Sequence, residues 1–273
     1  MQTYLYTIVK SFSKKWFSFI ASAFVVLFAF TPALTAQEVK TILPGDKEIN
    51  APLLRPFQAK YVRKNPWYMF WDRVNGYTTV ELKVAEHRGI PCYVLTYKME
   101  TDDGGTIFDE MRLSKTTLEA IGRQMNNLYD GYDYDIAINE NELNGTLTPL
   151  KGTSQKKATL TISGNFPHSA FEPSLVDYII ATMPLHENFT AKLPFIELAK
   201  KSTIQWVQFT VMGKERVKAG DQKTYDTWVV QTKYLTGNRQ GEERKFWLSS
   251  TAPYKIKAET SVDWELLEVK LSD

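Results

Sequence analysis

The chain has 273 residues, 43% of them hydrophobic and 13% aromatic, with 33 Lys+Arg against 31 Asp+Glu and a single cysteine. A formal charge of +2, evenly spread, offers no basic groove for a phosphate backbone and argues against nucleic-acid binding. One cysteine excludes an intramolecular disulfide framework, and no Cys/His set is present for a structural zinc site.

The first 36 residues differ from the rest. They contain no acidic side chain; their only charges are Lys10, Lys14 and Lys15, followed by the uncharged run Trp16 to Phe30. A basic start, an apolar stretch and then Pro32 and the small residues before Gln37 form a secretory signal, with cleavage expected after Ala36. The competing reading is an uncleaved membrane anchor, because Trp16 to Gln37 is long enough to span a bilayer. Removing the segment takes three of the 33 basic residues and none of the 31 acidic ones, turning the formal charge from +2 to −1. The mature protein is therefore expected to be periplasmic or secreted, touching membrane only transiently unless the anchor is retained.

Gln37 to Pro56 carries Pro44, Gly45, Asn50, Pro52 and Pro56 and reads as an extended N-terminal arm. From Phe57 to the C-terminus, residues 57–273, the pattern is one domain of short strands. Val80, Leu82 and Val84 alternate with Thr79, Glu81 and Lys83, and after a turn at His87-Arg88-Gly89 the pattern returns through Tyr93, Leu95, Tyr97 and Met99, which predicts a hairpin. Asp102-Asp103-Gly104-Gly105 marks the next turn; strands follow at Thr106 to Leu113, Leu118 to Met125, around Tyr132 to Asn139, and at Ala158 to Ile162, with Asn144-Gly145 read as a turn. Cys92 sits between apolar neighbours and reads as a buried thiol.

The period then changes. Pro173 to Pro184 predicts a short helix capped by Ser174, with Leu175, Ile179 and Met183 on one face and Val176 and Ile180 beside them. Such a helix either packs into a core or forms a lid over an apolar cavity. A less clear segment around Pro194 precedes strands at Thr203 to Met212, Gln222 to Lys233, Glu242 to Leu248, Pro253 to Thr260 and Trp264 to Leu271. The whole predicts a mainly β protein built on a large curved antiparallel sheet, a half-barrel with one or two short covering helices.

No residue pattern marks an enzyme. His87, His168 and His186 stand in no metal or catalytic spacing, and no nucleophile elbow, phosphate loop or His-Glu-x-x-His pair occurs. Asp130, Asp133 and Asp135 cluster, but an alternating strand cannot wrap a calcium ion. Aromatic residues are the second candidate. Trp67, Tyr68, Phe70 and Trp71 crowd the first strand. Ile204, Trp206 and Met212 lie opposite Val207, Phe209 and Val211, so this strand is apolar on both faces and must be covered twice or face a ligand.

Ser174-Leu-Val-Asp177-Tyr, Met183-Pro-Leu, Val207-Gln-Phe-Thr-Val-Met-Gly213-Lys-Glu215-Arg-Val217, Ala219-Gly220, Tyr225-Asp-Thr-Trp-Val-Val230, Trp247-Leu-Ser249 and Pro253-Tyr254 resemble the bacterial domain of unknown function 3108 family, from about Gly76 to the C-terminus. The resemblance implies an exported cell-envelope protein with a fold similar to the half-barrel of the LolA/LolB lipoprotein carriers, and it transfers no catalytic residue. Fold alone does not fix function. With no catalytic residue, metal or cofactor expected, the leading reading is a non-enzymatic carrier holding a lipid or other apolar ligand, its cavity lined by Trp206, Met212, Trp228, Ile179 and Met183. The alternatives are an envelope module that binds a protein partner through a sheet edge or the N-terminal arm, and a hydrolase assembled from dispersed residues.

Overall fold

The computed structural model describes residues 39–65, 73–100, 105–128, 130–150 and 158–271. The signal segment, the cluster Trp67, Tyr68, Phe70 and Trp71, and residues 102–104 of one expected turn lie outside these residues.

The alternating segments become strands: β1 (Lys40–Thr41), β2 (Phe57–Asn65), β3 (Arg73–His87), β4 (Ile90–Glu100), β5 (Thr106–Ser114), β6 (Ala120–Asn127), β7 (Tyr132–Asn139), β8 (Glu142–Pro149), β9 (Leu160–Asn165), β10 (Thr190–Glu197), β11 (Thr203–Lys218), β12 (Thr224–Tyr234), β13 (Glu243–Leu248), β14 (Lys255–Glu259) and β15 (Asp263–Leu271). They form one sheet in the order β1-β10-β11-β12-β13-β14-β15-β2-β3-β4-β5-β6-β7-β8-β9. Two antiparallel meanders, β2 to β9 and β10 to β15, are joined where β15 pairs with β2. The protein is thus mainly β, on the large curved antiparallel sheet that alternation predicts.

The sheet does not close. Cross-strand partners Met111, Arg123, Ile136, Gly145 and Ile162 carry one face continuously from β5 to β9, and Met111 belongs to the main core. That same inner face of β7 to β9 supplies Ile136, Ile138, Leu143, Leu147 and Ile162 to a second cluster, where they meet Ile196 and Ile204. Ile196 and Ile204 are partners in register and point away from the main core, which takes Ala191, Leu193 and Phe195 from β10. The β9 end of the sheet therefore curls past β10 and β11 and packs on their outer surface. Ser202 donates its backbone N–H to the Ser163 carbonyl at 2.8 Å at this seam, and Gly164 lies against Ser202. The roll is a spiral that overlaps itself, going further than the expected half-barrel.

Asn144-Gly145 is not a turn. The chain reverses earlier, with Glu140 at φ 52°, and Gly145 lies inside β8. A Cβ there would stand 2.9 Å from Ile162 Cγ1 and 3.0 Å from Ile136 Cγ1, so this glycine serves close packing rather than reversal. Pro194 lies inside β10, whose outer edge is free of β1 beyond Lys192. There the segment ahead of the helix takes over: Phe171 donates to the Pro194 carbonyl and Ile196 donates to Phe171, so the missing proline N–H leaves no ladder bond broken.

The long connection from β9 to β10 crosses the concave face. It contains a 3-10 turn (Pro173–Leu175) and a helix, α1 (Val176–Ala181), every residue of which is buried. The side chain of Glu172, not Ser174, caps this turn by accepting the Ser174 N–H at 2.6 Å. Glu172 is itself held by Arg123 Nη1 at 2.7 Å, while Arg123 grips Asp109 with Nε at 2.8 Å and Nη2 at 2.6 Å. All three are buried.

The N-terminal arm belongs to the core. Ile42, Ala51 and Leu54 are buried in it; Tyr93 reaches the Ala51 and Leu54 carbonyls, and Tyr254 donates to Leu53 while accepting from the Arg55 N–H at 2.7 Å. The arm closes the end of the roll at the start of β2 and β4, and so is not a free segment for a partner.

Two tests follow from this packing. Gly145→Val forces an isopropyl group into the seam and is expected to cost about 1–3 kcal/mol in urea unfolding; an unchanged midpoint would contradict the packed seam. Burial, opposed by Arg123, raises the Glu172 carboxyl above the ordinary glutamate value of 4.5. A raised folded-state pKa gives stability that is complete below the unfolded value and is lost as pH climbs through the folded value. Thermal melts of Glu172→Gln and the unmodified protein are therefore expected to differ increasingly, to the disadvantage of the unmodified protein, as pH rises above 4.5. A pH-independent difference would count against a strained carboxylate.

Candidate functional site

The five cavity candidates fall in three places. Ile179 and Met183 are buried in the main core with the rest of α1. Trp206 is half-buried on the outer surface of β11, its ring 5.4 Å from that of His168. Met212, 53% exposed, is the extra residue of a bulge between Val211 and Gly213, which reverses the inward parity beyond it. Trp228 faces inward at the rim, in register with Leu248, with Lys214 Nζ 4.6 Å from its ring centroid. These residues do not surround one space, because α1 occupies the concavity they were expected to line. The second apolar face of β11 has its cover from the chain itself: Ile204 packs in the seam and Trp206 lies against His168. The helix is core, not lid.

A pocket lies at the opposite end of the roll from the arm, where β2 and β4 end and β15 begins. Its volume is about 260 Å³, and its walls combine Arg63, Tyr97, Asp177, Phe246, Lys255 and Trp264, with Met99, Ser174, Arg239 and Arg244 around them. At its base Lys255 Nζ meets Asp177 Oδ2 at 2.9 Å, both side chains being almost fully buried. The ammonium stands within 4.6 Å of the Trp264 ring centroid, 5.3 Å of Tyr61, 5.4 Å of Tyr178 and 5.5 Å of Tyr97. Four π faces and one carboxylate thus replace its water shell. Burial, and then the Asp177 charge, push the Tyr97 hydroxyl well above the ordinary range; burial raises Tyr61 and Tyr178 as well. These phenols stay neutral and act as dipoles and π surfaces. Tyr61 donates to the Lys255 carbonyl at 2.9 Å, tying the cage to the lysine's own backbone.

Charged residues inside this end of the roll are nearly all matched. Asp109 is taken by Arg123, Asp177 by Lys255, and Arg244 by Glu242 at 2.7 Å. Arg63 is the exception. It is 7% exposed; its Nη2 donates to the Glu100 carbonyl at 2.8 Å, and its Nε has no hydrogen-bond partner among the described residues. Gly76, at φ +105°, makes room for it: a Cβ there would stand 2.9 Å from Arg63 Nη2 and collide with the Glu100 carbonyl.

Reading the sequence for motifs missed Arg63, Asp109 and Arg123. A signal was present: each is a lone charge at an inward position of a strand, in Phe57-x-Ala-x-Tyr-x-Arg63, Ile107-x-Asp109-x-Met and Ile121-x-Arg123-x-Met. The remaining chemistry-bearing side chains behave as solvated or packed residues. Asp133 and Asp135 are exposed, Cys92 is buried with its thiol raised by burial, and burial lowers His87. No group of three or more His, Cys, Asp or Glu among the described residues could hold a metal ion, and no helix among them is long and apolar enough to cross a membrane.

Lys255→Met is expected to cost about 3–5 kcal/mol by stranding Asp177 without a counter-charge. Adding Asp177→Asn is expected to recover part of that loss, and urea unfolding of the two singles and the double reads the coupling. Strict additivity would mean that the pair does not interact.

The family described as Protein of unknown function (DUF3108) matches residues 57–266, which takes in β2 and Arg63 upstream of the Gly76 boundary. No curated protein matches the chain. Among solved structures the chain is similar to the beta-barrel-like protein of domain of unknown function DUF1849 from Brucella abortus, at 9% identity and a TM-score of 0.49, covering 81% of this chain and 99% of that one. With its two meanders and the crossover between them matched almost from end to end, the chain belongs to the DUF3108 family of proteins of unknown function.

Proposed function

We propose that this is an exported, non-enzymatic binding protein of the bacterial cell envelope, and that its ligand seats at the open end of the roll. The observation that carries this reading is the pocket of about 260 Å³ in which apolar walls, Met99, Phe246 and Trp264, meet cationic groups. Its volume lies near the lower end of small-molecule sites, about 300 Å³. That suits the head of an amphiphile and the first part of its chain, each buried methylene adding about 0.8 kcal/mol. A whole acyl chain laid along the axis would have to displace α1. Hydrolysis is a poorer fit: Asp109 and Asp177 are engaged by Arg123 and Lys255, which leaves neither as a general base. Export rests on the basic and apolar signal-like segment at residues 1–36. No nucleic acid or cofactor enters this reading, and membrane contact is transient, during loading or release.

The filled interior favours a second reading, a structural or interaction module of the envelope without a small ligand. Native mass spectrometry on protein recovered from its own envelope separates the two. The binding reading expects a chain beginning at Gln37 with a co-purifying amphiphile that lipid extraction releases. A bare polypeptide that also fails to take up a fluorescent fatty acid would leave the interaction module.

A further inference from the structure

We infer that the open-end pocket selects an anionic head group, a carboxylate or phosphate, and that Arg63 is the residue that reads it. The inference rests on the binding reading above and names its ligand class. A guanidinium presents five N–H donors and never loses its charge at physiological pH. Burying one without a carboxylate is unfavourable unless something else completes its shell. Here the backbone holds one end of the fork, through the Glu100 carbonyl, and Nε is buried without a partner among the described residues, while the side chain lines the pocket. The neighbouring strand is shaped around the group: the β2–β3 register shifts at Arg63, and only a residue without a Cβ fits opposite it at Gly76.

The surroundings point the same way. Lys255, Arg239 and Arg244 share the pocket walls with Arg63, whereas the acidic wall residues Asp109 and Asp177 each face a committed cation. A charge-assisted bond from the guanidinium to an oxyanion supplies the missing counter-charge, and the apolar stem of the ligand then lies against Trp264 and Phe246. A cationic ligand is refused twice. It would meet Arg63, and the aromatic cage that would suit it is already filled by the Lys255 ammonium.

Isothermal titration of the full chain with decanoate, decyl phosphate, decanol and decyltrimethylammonium, all below their micellar concentrations, tests this. The two anions are expected to bind at least about tenfold more tightly than decanol, and the ammonium not at all. Whichever anion binds more tightly tells a carboxylate ligand from a phosphate one. Arg63→Met is expected to abolish the preference, bringing the anions down to the level at which the same variant binds decanol. Arg63→Lys, which keeps the charge but not the fork, is expected to fall between, and it serves alone if the methionine variant does not fold. Equal binding of decanol and the anions, unaltered in the Arg63 variants, would overturn anion selection while leaving the binding protein intact. Binding of none of the four would remove the pocket as a binding site, and with it the reading on which this inference rests.

Discussion

The sheet of fifteen strands that the described residues form has an inner face too large to leave wet, and covering that face sets the rest of the structure. Closing into a barrel would require strand tilt and shear to agree all the way round. This chain covers the face in two other ways. The β9 to β10 connection runs through the concavity as α1, so the link between the two meanders is also the core. The β7 to β9 end then folds over the back of β10 and β11, and apolar contact does there what a hydrogen-bonded ladder does in a barrel. Arg123 stands between the two clusters on the inner face of β6. By holding both Asp109 and Glu172 it fixes where the crossover enters the roll.

The two ends of the roll differ in kind. Residues 40–56 close one of them with apolar side chains and tyrosine hydroxyls bonded to backbone carbonyls. At the other end the inward positions are polar and charged, and the cage around Lys255 is its floor. The physical contrast is between charges that the fold has already paired and one that it has not. Asp177 with Lys255, and Arg123 with its two carboxylates, are internal solutions to burial. Arg63 has a backbone carbonyl and a tailored neighbour in Gly76, but no counter-ion among the described residues. Unmatched charge next to an apolar wall is what separates this end from ordinary core.

Much of this architecture was legible in the residues. The hairpin at Arg88-Gly89, the burial of Cys92, the apolar helix before Pro184 and the succession of C-terminal strands all follow from periodicity and turn chemistry. The failures have specific causes. Gly145 looked like a turn because glycine after asparagine usually is one; its real role depends on Ile136 and Ile162, strands away in sequence. A proline inside β10 hid that strand, since nothing local shows that its edge is bonded by Phe171. The bulge at Met212 broke the parity on which the cavity lining was chosen. The filled concavity was beyond reach, because the same apolar helix serves equally well as lid or as core until its neighbours are known. The charged residues on inward parity were the overlooked clue, more telling than any aromatic stripe.

The seam has a consequence for how such a protein can change over evolution. In a closed barrel, adding or removing a strand alters circumference and register together, so intermediates are unstable and strand number is effectively quantised. A sheet that ends by lying on its own back has no such condition to meet. A hairpin beyond β9 could lengthen, shorten or vanish by changing how far the spiral overlaps, with Arg123, the cage and the pocket untouched. Chains sharing this plan are free to vary in size at that edge while keeping the open end constant.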